Sequence, residues 1–130
     1  MILLDTHVVI WLAQDYRRIS TKAQSVIKEA RQKDRGLAVP SIALVEIARL
    51  SSCGRVSLNP DAETVLAEVE RRFVILPITS NIALQAYALP ENYPNDPADR
   101  IIGATALIED IPLLTADRAI RKSRAVPTIW

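Results

Sequence analysis

Cysteine is nearly absent. Cys53 stands alone among 130 residues, which leaves no internal disulfide and no thiolate zinc site, since the latter needs several such ligands. Glycine occurs only at Gly36, Gly54 and Gly103, too far apart to build a G-x-G-x-x-G or Walker A loop, so the ordinary nucleotide-binding folds are excluded. His7 is the only histidine; a serine triad would have to use it, and no G-x-S-x-G is present. Aromatic residues are sparse. Tyr16, Tyr87, Tyr93 and the two tryptophans are scattered along the chain, and no stacking platform for a single strand is expected from them. The longest uncharged apolar run in the body, IIGATALI at 101–108, is far too short to span a membrane. The opening MILLDTHVVIWLA carries Asp5 and His7 and lacks the basic start of a signal peptide, so a cytoplasmic location with no membrane partner is expected.

What is present is a balanced chain, 49% hydrophobic and 24% charged, enough for a sizeable core and of a length that predicts one domain over residues 1–130. The net charge of +1 conceals a division. Without Asp5, Glu46, Asp96, Asp99 and Asp117, 16 bases face 10 acids, a balance of +6. If those five acids converge, a basic surface surrounds an acidic pocket, which suits a phosphate-rich substrate.

Short apolar stretches, ILL at 2–4, LAV at 37–39, FVILPI at 73–78 and PLLT at 112–115, alternate with helical patterns, and VPTIW offers a last strand. The helices are expected at about 6–14, from Ser20 to the stop at Gly36, after Pro40, from an Asn59 cap to Arg72, at 80–89, at 97–109 and after Asp117. Fully apolar strands between helices predict an α/β fold, a short parallel sheet flanked by helices.

In such folds ligands bind beyond the carboxyl ends of the strands. Asp5 directly follows the first strand and Asp117 follows the fourth by two residues. Asp96 and Asp99 begin the 97–109 helix, and Glu46 lies mid-helix, where its side chain can point back toward the helix start. Each acid also has a plain structural use. Asp5, Asp96 and Asp117 can cap helices, Asp99 suits a first helical turn, and Glu46 can pair with Arg49. Together they point to more. Two carboxylates about 4 Å apart repel by roughly 4 kcal/mol at an effective dielectric near 20, so a gathered set calls for divalent cations or shared protons. Oxygen-only ligands favour Mg2+ or Mn2+, and such ions can activate water for in-line phosphodiester displacement. A phosphoaspartyl enzyme is the nearest rival, but a dehalogenase-type site wants an acid at position 7, which is His7. A receiver domain would want adjacent acids near the start and a lysine after a late strand; neither is found.

The strings LLDTH, VPSIALVEIA at 39–48, LPIT at 76–79, DPADRIIGATAL at 96–107 and PLLTAD at 112–117 together resemble the PIN-domain ribonucleases, above all the VapC-like toxins of toxin–antitoxin systems. The resemblance runs through nearly the whole chain. It implies a PIN-like three-layer sandwich and a Mg2+- or Mn2+-dependent RNA endonuclease that leaves a 5′-phosphate and a 3′-hydroxyl. Asp5, Glu46, Asp99 and Asp117 match the family's four acids in order, and Asp96 is an extra acid beside them. Thr6 and Thr115 resemble the family's hydroxyl positions, suited to orienting carboxylates or water. Arg100 and Arg118 directly follow Asp99 and Asp117 and suit phosphate contacts or internal counter-charges. The resemblance further implies a homodimer inhibited by a small antitoxin; the apolar residues of helices 41–50 and 62–70 suit an interface and the core equally. Gly103 departs from the more usual alanine and Asn95 from a basic residue. The alternative is a non-catalytic RNA-binding or scaffold module on the same fold; a third reading is a phosphatase phosphorylated on Asp5.

Overall fold

In a computed structural model of residues Met1–Trp130, the apolar stretches lie side by side as one sheet. Its strands are β1 (Ile2–Leu4), β2 (Leu37–Pro40), β3 (Val74–Leu76), β4 (Leu113–Leu114) and β5 (Thr128–Ile129). They run in the order β3-β2-β1-β4-β5, every pair parallel. Alternate side chains of each strand serve opposite faces. Leu4, Leu37, Val39 and Leu114 join the core on one face, while Leu3, Ala38 and Leu113 join the core on the other. Around the central strands both faces are dry, which is why β1, β2 and β4 carry no polar residue until they end; the edge strands are more open, with Val74 of β3 exposed and Thr128 in β5.

The helices are α1 (Thr6–Gln14), α2 (Thr21–Gln32), α3 (Ser41–Ser52), α4 (Ala62–Arg72), α5 (Ser80–Ala86), α6 (Pro97–Ile108) and α7 (Arg118–Ser123), with a 3-10 turn at Tyr16–Arg18. Val8 and Val9 of α1, Ile27 of α2, Ile47 of α3 and Val65 and Val69 of α4 fill one side of the sheet. Ile102 and Ala106 of α6, Ile120 of α7 and Tyr93 fill the other. No helix is long and apolar enough to cross a membrane.

Three helix ends differ from expectation. Asn59 does not cap α4; the Asp61 carboxylate does, accepting from the Thr64 amide at 2.7 Å, because its side chain stands at the spacing that reaches that donor. The second helix stops at Gln32, well before Gly36, with Asp34 and Gly36 both at positive φ in the turn. The helix expected over 80–89 ends at Ala86. Ser20, Asp96 and Asp117 cap α2, α6 and α7 as anticipated.

The strand order fixes the site. From β1 the chain moves outward to β2 and β3, then returns to lay β4 on the opposite side of β1. A crevice opens at such a reversal, at the strands' carboxyl ends. Leu4 pairs with Leu114 and the Asp5 amide donates to the Leu114 carbonyl at 3.1 Å, which sets Asp5 beside Thr115 at that crevice.

Candidate active site

Asp5 is buried where β1 ends, and both its carboxylate oxygens are engaged. Oδ1 accepts from the Thr6 amide at 2.8 Å and Oδ2 from the Thr115 hydroxyl at 2.6 Å. Burial pushes its pKa above the ordinary value; the Thr115 and Thr6 donors and His7 oppose that, and the Asp117 charge adds to it. The same Thr115 hydroxyl accepts from the Asp117 amide at 3.1 Å. One Asp117 oxygen is in turn taken by the Ile120 amide at the start of α7. Asp5, Thr115 and Asp117 thus form a continuous hydrogen-bonded chain.

Asp99 is held differently. It sits in the first turn of α6, where Asp96 Oδ1 accepts from its amide at 3.2 Å and from that of Ala98 at 2.9 Å. Behind it, the buried Tyr93 hydroxyl donates to the Asp99 carbonyl at 2.6 Å. Burial raises the Tyr93 pKa, as do the charges of Asp99, Asp5 and Asp117, so the phenol stays a donor. Gly103 makes room for that ring. A Cβ there would overlap the Tyr93 hydroxyl oxygen and lie 2.7 Å from Cζ. Tyr93 and Gly103 were not singled out for this role from sequence. The signal was a glycine in a helix interior, where alanine is about 1 kcal/mol better.

The Asp99 carboxylate is pushed up to about 7, first by burial and then by the charges of Asp5, Asp96, Asp117 and Glu46. All four are near enough to be felt. Together with Asp99 they line one cavity of about 820 Å3, along with Asp15, an acid not anticipated there. Glu46 reaches it from mid-α3, its side chain only 18% exposed, and also pairs with Arg49 at 3.1 Å. The convergence is looser than a closed metal cage. No three acidic, histidine or cysteine side chains stand close enough to hold an ion by themselves. Asp5 is tied to Thr6 and Thr115, Asp96 and Asp117 each give an oxygen to a helix start, and Glu46 leans on Arg49.

The donor chemistry nonetheless fits a hard divalent cation. The carboxylates share one cavity, Asp99 has a carboxylate with no hydrogen bond among its influences, and Mg2+ characteristically keeps several waters rather than an all-protein shell.

The accessory residues divide. The Thr6 side-chain hydroxyl is buried without a partner. Arg100 is buried, donating to the Ala86 carbonyl at 3.1 Å and to Asn95 Oδ1 at 3.3 Å; it joins α6 to α5 and pairs with no carboxylate, so it is not the counter-charge that was expected. Arg118 is exposed at the start of α7, lining a shallow basic depression with Arg121, Lys122 and Arg124. The two tryptophans are not scattered in space: Trp11 and Trp130 pack at 5.9 Å between ring centroids, and His7 meets Trp11 at 6.0 Å. The His7–Trp11 spacing of one helical turn was visible in the sequence; Trp130 arrives only through the last strand.

The family described as PIN domain matches residues 2–125. The chain belongs to the PIN domain family. This PIN domain is 35% identical over 131 residues to ribonuclease VapC22 of Mycobacterium tuberculosis, covering 99% of this chain and 98% of that protein. VapBC2 from Rickettsia felis, solved with a promoter DNA fragment, has the same PIN fold with a TM-score of 0.72 at 14% identity, over 99% of this chain and 98% of that one. A toxin–antitoxin complex from Klebsiella pneumoniae gives 0.64 at 21% identity, over 100% and 97%.

Proposed function

We propose that this PIN domain is a VapC-type toxin that hydrolyses RNA phosphodiester bonds with the help of Mg2+ or Mn2+. The observation that carries the proposal is the gathering of Asp5, Glu46, Asp96 and Asp117 with Asp99 around one cavity at the sheet's reversal point, where burial and those four charges push the Asp99 carboxyl up. A group so destabilised in its charged form is a natural seat for a cation. The kinship with a named ribonuclease supports the reading.

In this proposal Asp5, Glu46, Asp99 and Asp117 would hold the ion together with waters, and Asp96 serves mainly as the cap that fixes the start of α6. A bound divalent ion supplies Lewis acidity at the phosphate and lowers the pKa of water. Thr115 keeps the Asp5 carboxylate in one orientation, and Tyr93 does the same for the Asp99 backbone. A carboxylate not consumed by these bonds can take a proton from the attacking water. Arg118 and its basic neighbours on α7 offer the phosphate backbone a landing surface outside the acidic cavity.

The partners proposed are a cognate antitoxin and a second copy of the chain. Val45 on α3, 62% exposed, and Leu84 and Tyr87 in and just after α5, each 74% exposed, are large apolar side chains left in solvent. Helix α4, also expected as interface, contributes none of comparable exposure.

The test is cleavage of total RNA with magnesium, with chelator, and with Asp5→Asn in place of the native chain. Cleavage by the native chain in magnesium alone is the expected result. A chain that binds RNA but leaves it intact in magnesium and manganese would be a scaffold instead.

A further inference from the structure

One wall of the cavity is unexplained by the acids. His7 and Trp11 stand one turn apart on α1, their rings tilted by 50°. Trp130 braces Trp11 from the far end of the chain, tilted by 51°. The Arg18 guanidinium lies over the Trp11 ring, 4.7 Å from its centroid, well within cation–π range. His7, Trp11 and Arg18 line the same cavity as Asp5 and Asp117.

Exposure separates the four groups. His7 and Arg18 are exposed, whereas both indoles are partly buried. The indoles are therefore the support, and the imidazole and guanidinium are the planar surfaces left to solvent. Arg18 forms no ion pair, and Asp15, which lines the cavity with it, pairs instead with Arg17 at 3.6 Å. An exposed arginine carried over a tryptophan, with no carboxylate of its own in a cavity of acids, is poorly explained by folding alone.

We propose that this wall is a nucleobase subsite. A base of single-stranded RNA flanking the bond to be cut stacks on His7 and the Arg18 guanidinium, held by Trp11 and Trp130. The proposal rests on the ribonuclease reading and deepens it by assigning a place for one unstacked base beside the acids. Unpaired bases are recognised by stacking on aromatic rings and guanidinium planes, and such stacking tolerates any base because every base has a π-face. It also answers an electrostatic difficulty. A cavity lined by carboxylates repels a polyanion, and a stacked base beside a fixed cation offsets that repulsion where the strand must approach.

Both tryptophans of the chain belong to this wall, so its intrinsic indole fluorescence reports on nothing else. In chelator, short single-stranded RNA is expected to quench that emission saturably. An abasic strand of equal charge and a duplex of the same sequence should quench little. His7→Ala should weaken binding of the single strand by about ten-fold, within the range of one base–aromatic stack. The same variant should raise KM for cleavage more than it lowers kcat, and His7→Phe should restore both. Arg18→Gln, at an exposed position, should weaken binding in the same direction. Equal quenching by the abasic strand or the duplex overturns the subsite, as does a His7→Ala chain with native affinity and KM. Base-dependent quenching in a chain that never cleaves RNA in magnesium would keep the subsite and remove the nuclease; cleavage by the native chain with no base-dependent quenching would do the reverse.

Discussion

Asp5 and Asp99 line one cavity and are held in opposite ways. Asp5 has a donor on each oxygen, Thr6 on one and Thr115 on the other. Asp99 is fixed through its backbone, by Tyr93 on its carbonyl and Asp96 on its amide, while its carboxylate meets mainly other negative charges. A side chain can be immobilised by bonding its functional atoms or by anchoring the chain beneath them. The first route offsets part of the cost of burying the charge and occupies the group. The second leaves the group free and lowers stability until something binds, the usual exchange of stability for function at a site.

The sharpest way to break this contrast is Asp99→Asn. Cleavage should fall by about a hundred-fold or more, beyond what a supporting residue of a metal site contributes. The same variant should melt higher than the native chain in chelator at neutral pH, because a repelled charge is gone. A lower melting temperature would mean that Asp99 is satisfied after all.

Thr115→Val attacks the other side. It removes the donor to Asp5 and the acceptor of the Asp117 amide, leaving buried polar groups unpaired at about 1–3 kcal/mol. Denaturant unfolding should show that loss, with cleavage about 10- to 100-fold slower.

Gly103→Ala tests the anchor beneath Asp99. Helix propensity favours alanine by about 1 kcal/mol, but the new Cβ meets the Tyr93 ring, and overpacking costs about 1–3 kcal/mol. Net destabilisation is expected, partly relieved by adding Tyr93→Phe, which removes the atom in closest conflict. A more stable Gly103→Ala chain would show that the ring can step aside.

The smallest effect is on pH dependence. Asp99 titrates near 3.8 when unfolded and at about 7 when folded. Between those values the folded chain holds the extra proton, so its contribution is fully present below 3.8 and is lost as pH rises through about 7. Asp5 shifts in the same direction. Glu29 and Glu68, lowered mainly by hydrogen bonds from Lys33 and Arg71, and Asp61, lowered by Thr64, act with the opposite sign, but only as pH falls below the ordinary carboxylate range. Metal-free melting temperature should therefore decline from mildly acidic to neutral pH, less steeply in Asp99→Asn or with magnesium present.

Much of the fold was legible because its determinants are local. Apolar ILL and LAV announce buried parallel strands, and Ser20, Asp96 and Asp117 announce helix starts from their own side chains. The α4 cap was misassigned because Asn59 and Asp61 both suit the role, and only the geometry around the Thr64 amide decides between them. In the site, strand ends directed attention to Asp5 and Asp117, but spacing along a chain says nothing about which oxygens are already bonded. The looseness of the acids, and the sole freedom of Asp99, follow from donors such as Thr115 that lie across the fold. The aromatic wall was missed for the same reason: Trp11 and Trp130 meet only because β5 pairs with β4.

The central strand is built from the first residues of the chain, and its neighbour β4 from residues 113–114. A nascent polypeptide therefore carries Asp5 long before Thr115 and Asp117 have been translated. Until they emerge from the ribosome, the cavity lacks one of its walls and Asp5 lacks its clamp. The pocket is therefore assembled from positions 110 residues apart, and no early segment of the chain carries it alone.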